Sequence, residues 1–318
     1  MRPAMLVVVA VALSAADRTY ELAGQVEPEA RASVSVHAAN TPFSTSTLSD
    51  ARGRFRIRGL LPGPYTVSAF VPGYGEARRT IEVGPSVADG RGRVPAVLKI
   101  QESPDAAAAL KRGAAVSTRE LSIPDRARRE YAEAQKCLAR HDVNGAIRRL
   151  ENAVEMAPGF AEAWNNLGTI AYQTREYSTA ERHFRAALKA DAEAYEPLVN
   201  LGGVLLNLGK IEEAYHYNLH AVLARPHDAL ANSQFGMTYF WMSNYDLALK
   251  YLNAAKKLDP AHFSHPQLLI AEVHLRRQAP DAAAAELEEF LKYHPDVPEA
   301  VRIQAKISEL RRSQRYRR

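Results

Sequence analysis

At 318 residues the chain has room for two separately cored domains and a connector, and its 47% hydrophobic and 24% charged content is that of a globular protein rather than a disordered or fibrous one. The formal charge of +5 is matched by the five Arg among the last eight residues, Arg311 to Arg318, so the body of the protein has no basic surplus and no nucleic-acid partner is expected. The single cysteine, Cys137, excludes an intramolecular disulfide.

In chain order, residues 1–16 read as an export signal. Arg2 is a minimal positive start, Met5 to Leu13 form an apolar stretch, and Ser14-Ala15-Ala16 supplies small residues for cleavage before Asp17. The apolar run ends short of the ~20 residues that span a bilayer as a helix. The alternatives are a signal anchor or an ordinary buried segment. The expectation is an exported chain, periplasmic or secreted, cleaved near Ala16 and without a transmembrane segment in its mature form. No Cys stands at the cleavage point to take a lipid.

Residues 17–101 change to short alternating runs. Tyr20/Leu22/Val26, Val34/Val36, Phe55/Ile57, Tyr65/Val67/Ala69/Val71 and Ile81/Val83 place apolar side chains on one face of a strand, while Arg54, Arg56 and Arg58 take the other. Turn chemistry at Asp50-Ala51-Arg52-Gly53, Pro62-Gly63-Pro64 and Pro72-Gly73-Tyr74-Gly75 separates the runs. The pattern predicts a sandwich of about seven strands. The segments Leu22 to Val26, Thr47 to Ile57 and Leu61 to Val67 resemble the carboxypeptidase regulatory-like domain, a transthyretin-like sandwich of many exported bacterial proteins. That resemblance implies a non-catalytic companion domain, with Asp50 and Gly53 in a tight hairpin and Tyr65 turned into the core. No His-x-x-Glu or His-Glu-x-x-His zinc pair occurs in the sequence.

Residues 102–124 are polar, Ala-rich and Pro-containing, as in an exposed linker, and Pro124 suits the first turn of a helix. Residues 125–297 then repeat with a fixed period. Numbering each unit 1 to 34 from Ala127, position 20 is Ala146, Ala180, Ala214, Ala248 and Ala282, and position 8 is Ala134, Gly168, Gly202 and Gly236. Position 32 is Pro158, Pro226 and Pro260, with Ala192 in the second unit. Together with Trp164-Asn165-Asn166-Leu167-Gly168, Tyr177 and Phe184, these residues resemble the tetratricopeptide repeat. The predicted fold is thus multidomain α and β: an N-terminal seven-stranded β-sandwich followed by an α-helical solenoid of five hairpins, an α-α superhelix. The fifth hairpin is expected to be irregular, with Pro266 in place of a large residue at position 4 and a one-residue slip that puts Leu287 at position 24. Residues 298–318 supply a capping helix with Val301, Ile303, Ile307 and Leu310 at near-helical spacing, then a solvated Arg-rich tail.

The repeat resemblance implies a concave groove lined by the first helix of each hairpin. Its positions 2, 5, 9, 12 and 13 give Tyr131, Gln135, Asn165, Thr169, Tyr172, Gln173, Val199, Asn207, Ser233, Met237, Phe240 and Trp241, an aromatic and amide surface suited to an extended peptide. Phe240 and Trp241 have an alternative place, packed against the fifth repeat. A carboxylate-clamp ligand is disfavoured, since Tyr131 and Glu196 stand where that sub-type has Lys. His216 and His220 are one turn apart but lack a third ligand, the His262–His265 segment lies in a turn, and Cys137 belongs between helices. No catalytic, metal or cofactor residue stands out, and nothing indicates a homo-oligomer. The expectation is a non-catalytic scaffold that binds a protein or peptide partner; the alternative is carbohydrate or cell-wall binding through the β-domain.

Overall fold

The computed structural model describes residues 18–100 and 122–315. The expected signal and most of the expected linker lie outside the described residues.

Seven strands form two sheets: β1 (Tyr20–Glu27), β2 (Ser33–Ala38), β3 (Ser44–Leu48), β4 (Arg54–Leu60), β5 (Gly63–Val71), β6 (Gly75–Val83) and β7 (Arg93–Lys99). The orders are β4-β1-β7 and β3-β2-β5-β6, antiparallel except for the β1–β7 pair. Alternation drives the packing. Leu22, Val34, Val36, Val67 and Leu98 are all fully buried between the sheets, whereas Arg54, Arg56 and Arg58 of β4 point to solvent. The β3–β4 turn closes as its residues dictate. Asp50 accepts from the backbone N–H groups of Arg52 and Arg54, each at 2.9 Å, and Gly53 takes the left-handed φ of 73°. Tyr65 is buried and donates to the Leu61 carbonyl at 2.9 Å.

Eleven helices follow among the described residues. Hairpins 1 to 5 are α1 (Asp125–Ala139) with α2 (Val143–Met156), α3 (Ala161–Gln173) with α4 (Tyr177–Ala190), α5 (Tyr195–Asn207) with α6 (Ile211–Ala224), α7 (Ala229–Trp241) with α8 (Tyr245–Leu258), and α9 (Pro266–Arg276) with α10 (Pro280–Tyr293). Helix α11 (Ala300–Arg315) caps them, burying Ile307 and Leu310, and runs past the expected end at Leu310. Arg311, assigned from sequence to the loose tail, reaches Glu288 at 3.1 Å and Asp281 at 3.3 Å.

The periodic residues have a common mechanical role. At position 8 a glycine receives the side chain at position 24 of the partner helix directly on its backbone. A Cβ at Gly168 would come within 2.6 Å of the Phe184 ring, and one at Gly236 within 2.7 Å of Leu252 Cγ. Gly202 faces Asn218 in the same way, so the third hairpin buries an amide where its neighbours bury apolar side chains. Asn218 donates to Thr238 Oγ1 at 3.0 Å while its Oδ1 has no partner.

The turns between the two helices of each hairpin carry the period too. Residues His141, Arg175, Gly209 and Ser243, one repeat apart, all adopt positive φ, and the fifth hairpin places that residue at Gln278. The 34-residue spacing has therefore gained one residue by that point. Pro266 is the first residue of α9, where a missing N–H costs nothing, and α9 is shorter than the first helices before it.

Candidate functional site

The first helices of the hairpins place the expected groove residues in successive rows, and much of their polar capacity is spent within the protein. Asn166 Nδ2 donates to the Tyr131 hydroxyl at 3.2 Å, Asn200 Nδ2 to Asn165 Oδ1 at 3.1 Å, and Asn207 Nδ2 to the Tyr172 hydroxyl at 3.3 Å. Each pair joins residues 35 apart, one repeat plus one residue, so the amides stitch neighbouring hairpins together. Thr169 Oγ1 bonds back to the Asn165 carbonyl at 3.0 Å. Burial raises the phenol pKa of Tyr131 and Tyr172.

Four residues are placed differently from a free groove surface. Phe240 is buried in the core with Leu252, Ile270 and Val273, so it packs against the fifth hairpin, and Arg276 lies 4.7 Å over its ring. A phenyl ring between two hairpins gains more from that contact than from water, and Phe240 is corrected from groove to core. Val199 and Ser233 are also buried; Ser233 Oγ accepts from Ser264 Oγ at 2.7 Å. Met237 is half-buried against the apolar cluster of Leu201 and Leu205. Trp241, beside Phe240, remains 59% exposed, Met242 49% and Tyr172 37%. With Asn207 these side chains mark an open row at the C-terminal ends of α3, α5 and α7.

The other groove residues meet the β-domain, which lies across the solenoid. Gln173 Nε2 donates to the Ala38 carbonyl at 2.9 Å, Ser44 Oγ to Gln135 Oε1 at 3.5 Å, and Phe43 stacks on His141 with ring centres 4.7 Å apart. These contacts hold the β3 side of the four-stranded sheet against hairpins 1 and 2. At its other side, β6 faces the turns between later hairpins. Arg78 pairs with Asp228 at 3.5 Å, the Thr80 N–H donates to Asp259 Oδ2 at 2.7 Å, and Glu82 Oε2 lies 3.0 Å from His294 Nδ1. Ser86 N–H donates to Asp296 at 3.0 Å. Thr80, Asp259, His262 and His294 are all buried at this contact. None of the β6 residues, and none of these turn residues as β-domain contacts, was evident from sequence.

Chemistry beyond binding has little to rest on. His216 and His220 are exposed, and Cys137 is half-buried beside α2. The nitrogens of His262 and His294 that face neighbours are taken up by Ser264 and Glu82. Among the described residues no group of three His, Cys, Asp or Glu side chains could hold a metal ion, and no helix is long and apolar enough to cross a membrane.

A stacked helical-hairpin array bearing a β-sandwich is the class that this geometry defines. The carboxypeptidase regulatory-like domain model matches residues 23–91, and tetratricopeptide repeat models match residues 131–194, 168–229, 268–314 and 229–262. The chain belongs to the tetratricopeptide repeat family and carries a carboxypeptidase regulatory-like domain ahead of the repeats. It is 27% identical over 168 residues to anaphase-promoting complex subunit 3 of Schizosaccharomyces pombe, a match covering 53% of this chain and 23% of that protein. It is 31% identical over 119 residues to the human cell division cycle protein 16 homolog, covering 35% of this chain and 19% of that protein. The chain thus spans less than a quarter of the length of these relatives. Among solved structures the fold is similar to PilW, a type IV pilus biogenesis factor, with a TM-score of 0.53 at 19% identity over 59% of this chain and 86% of that one.

Proposed function

We propose that this chain is an exported, non-catalytic scaffold that holds a protein or extended peptide through the open row of its concave surface. The observation that carries this reading is the exposure of Trp241, at 59%, in line with Tyr172 and Asn207 on neighbouring first helices. A large aromatic left in water at a position outside the hairpin core gains by docking against a partner, and Trp and Tyr are the residues that most often anchor interfaces. Asn207 Nδ2 donates to the Tyr172 hydroxyl and the Gly203 carbonyl, which leaves its Oδ1 to accept from a partner backbone N–H. The repeat-bearing relatives support a binding role through their shared family, and the apolar stretch Met5 to Leu13 before small residues supports export.

The test is affinity capture with the intact chain purified from its native source, where an intact mass beginning at Asp17 reads the export step. Trp241→Ala combined with Tyr172→Ala is expected to weaken capture of the specific partner by about 2 kcal/mol or more. Partner capture that survives the double substitution unchanged would remove the row from the binding surface.

A further inference from the structure

The junctions between hairpins are unequal. Residues 157–160, 191–194 and 225–228 link the first four hairpins, whereas residues 259–265 link α8 to α9. The longer segment carries Asp259, His262, Ser264 and His265, and it enters α9 through a left-handed residue, His265, at φ 51°. Earlier junctions close the same kind of hairpin with fewer residues, so closure does not require the extra length. Its first residue, Asp259, meets β6, while Ser264 bonds Ser233 and His265 packs on Phe290 and His294 within the solenoid.

Strand β6 is the edge of its sheet, and an edge strand leaves alternate N–H groups without a partner. The Thr80 N–H is one of these, and its acceptor is Asp259, 179 residues away. Alternate residues along the strand address successive junctions: Arg78 meets Asp228 after hairpin 3, Thr80 meets Asp259 after hairpin 4, and Glu82 meets His294 after hairpin 5. Gly84 then lies so close to the Asp296 carboxylate that a Cβ would collide with it. Charge and donor type are complementary at each step: a guanidinium and an amide meet carboxylates, and a carboxylate meets a ring nitrogen. At the opposite sheet edge Ser44 and Phe43 reach hairpin 1, so the sheet spans the concave side from one rim to the other.

We infer that the β-domain is the solenoid's own ligand, bound in cis along a strand-edge receptor formed by the turns after hairpins 3, 4 and 5, and that a macromolecular partner reaches the concave face of hairpins 1 and 2 only in exchange for it. The second half of this inference rests on the groove reading above; the first does not. Covalent connection through residues 101–121 favours the intramolecular contact over the same contact between chains. The exposed row at Trp241 stays open in the docked form, so a partner can engage there before the β-domain leaves.

Amide exchange on the intact chain, resolved by residue, tests the docking. Gly84→Leu wedges the contact from the sheet side, at an ordinary backbone conformation, and Asp259→Ala removes the Thr80 acceptor from the solenoid side. In both variants the Thr80 amide is expected to exchange about tenfold faster or more, while the central-strand amide of Val67 stays protected and shows that the sandwich is folded. In the same chains carrying Cys137→Ala and Gln135→Cys, a polyethylene-glycol maleimide stands in for a bulky partner, and its reaction with Cys at 135 is expected to speed up by about tenfold. Equal Thr80 exchange in all three proteins overturns the docking. Faster exchange without faster maleimide reaction overturns the exclusion of partners. Neither readout involves Trp241, so failure of the groove reading shows separately in the capture experiment.

Discussion

Replacing Phe184 with Ala is expected to destabilise the second hairpin by about 3–5 kcal/mol, and adding Gly168→Ala is expected to recover part of that loss instead of deepening it. Phe184 is 1% exposed, and its ring rests on the α3 backbone where Gly168 has no Cβ. Truncation leaves a cavity walled by two helices whose approach is set by other contacts, so the site collapses poorly. In the unaltered protein Gly168→Ala forces a methyl to within 2.6 Å of the ring, an overpacking that costs about 1–3 kcal/mol against a helix-propensity gain of about 1 kcal/mol. Once the ring is gone the same methyl occupies vacated space and the propensity gain stands alone. Urea unfolding followed by circular dichroism gives the cycle of two single variants and one double. Additive losses would contradict the claim that position 8 is glycine because position 24 is large. Stability in a repeat array is close to a sum of unit and neighbour terms, so Phe184→Ala is also expected to broaden the transition as hairpin 2 uncouples.

That pairing explains why the solenoid was legible in the sequence. Gly168, Gly202 and Gly236 recur because a large side chain needs a bare backbone beneath it, and such a requirement repeats with the hairpin. The sandwich was legible where one face is buried, as at Val34/Val36 and Tyr65/Val67/Ala69. Strand β3, Ser44–Leu48, gave no run because it is an edge of mostly half-buried Ser and Thr. Strand β7 was hidden by Pro95, which an edge strand tolerates on its unpaired side. The candidate site was less legible than the fold. Position within the repeat indicates which way a side chain leaves the helix but not what it meets: Phe240 meets the fifth hairpin, Gln173 meets the β-domain, and Asn165 meets the next Asn. The contact along β6 joins residues more than 140 apart in sequence and carries no period. The misfit at Pro266 marks the longer junction that displaces the repeat register, not the β6 contact itself.

Lowering the pH from 7 to 5 is expected to release the β-domain before either domain unfolds. Burial first, and then the charges of Arg78, His265 and His294, hold the His262 pKa down at about 3; burial and His294 hold His265 down at about 4. Both imidazoles ordinarily titrate near 6.5, so the docked form keeps them neutral while a released or unfolded form protonates them. Their contribution is therefore full above about pH 6.5 and is lost as the pH falls through that value toward 4. Each buried imidazole loses about 1.4 kcal/mol per pH unit in this window, hence at most about 2 kcal/mol each at pH 5, if release exposes them completely. Asp259 works in the opposite direction. Burial raises its pKa, so it takes up a proton more readily when docked and favours docking as the carboxylate is neutralised at lower pH. Further charges at the contact are Arg78 with Asp228 and Glu82 beside His294, one cation and one carboxylate from β6, and the Asp296 carboxylate that accepts from Ser86. The readout is Thr80 amide protection, corrected for the intrinsic pH dependence of exchange, with Val67 as the internal reference. Protection that stays level from pH 7 to 5, or that falls equally in a His262→Gln/His265→Gln chain, would show that these imidazoles do not hold the contact. A loss confined to the unaltered chain makes acid a release signal for the covered face of hairpins 1 and 2.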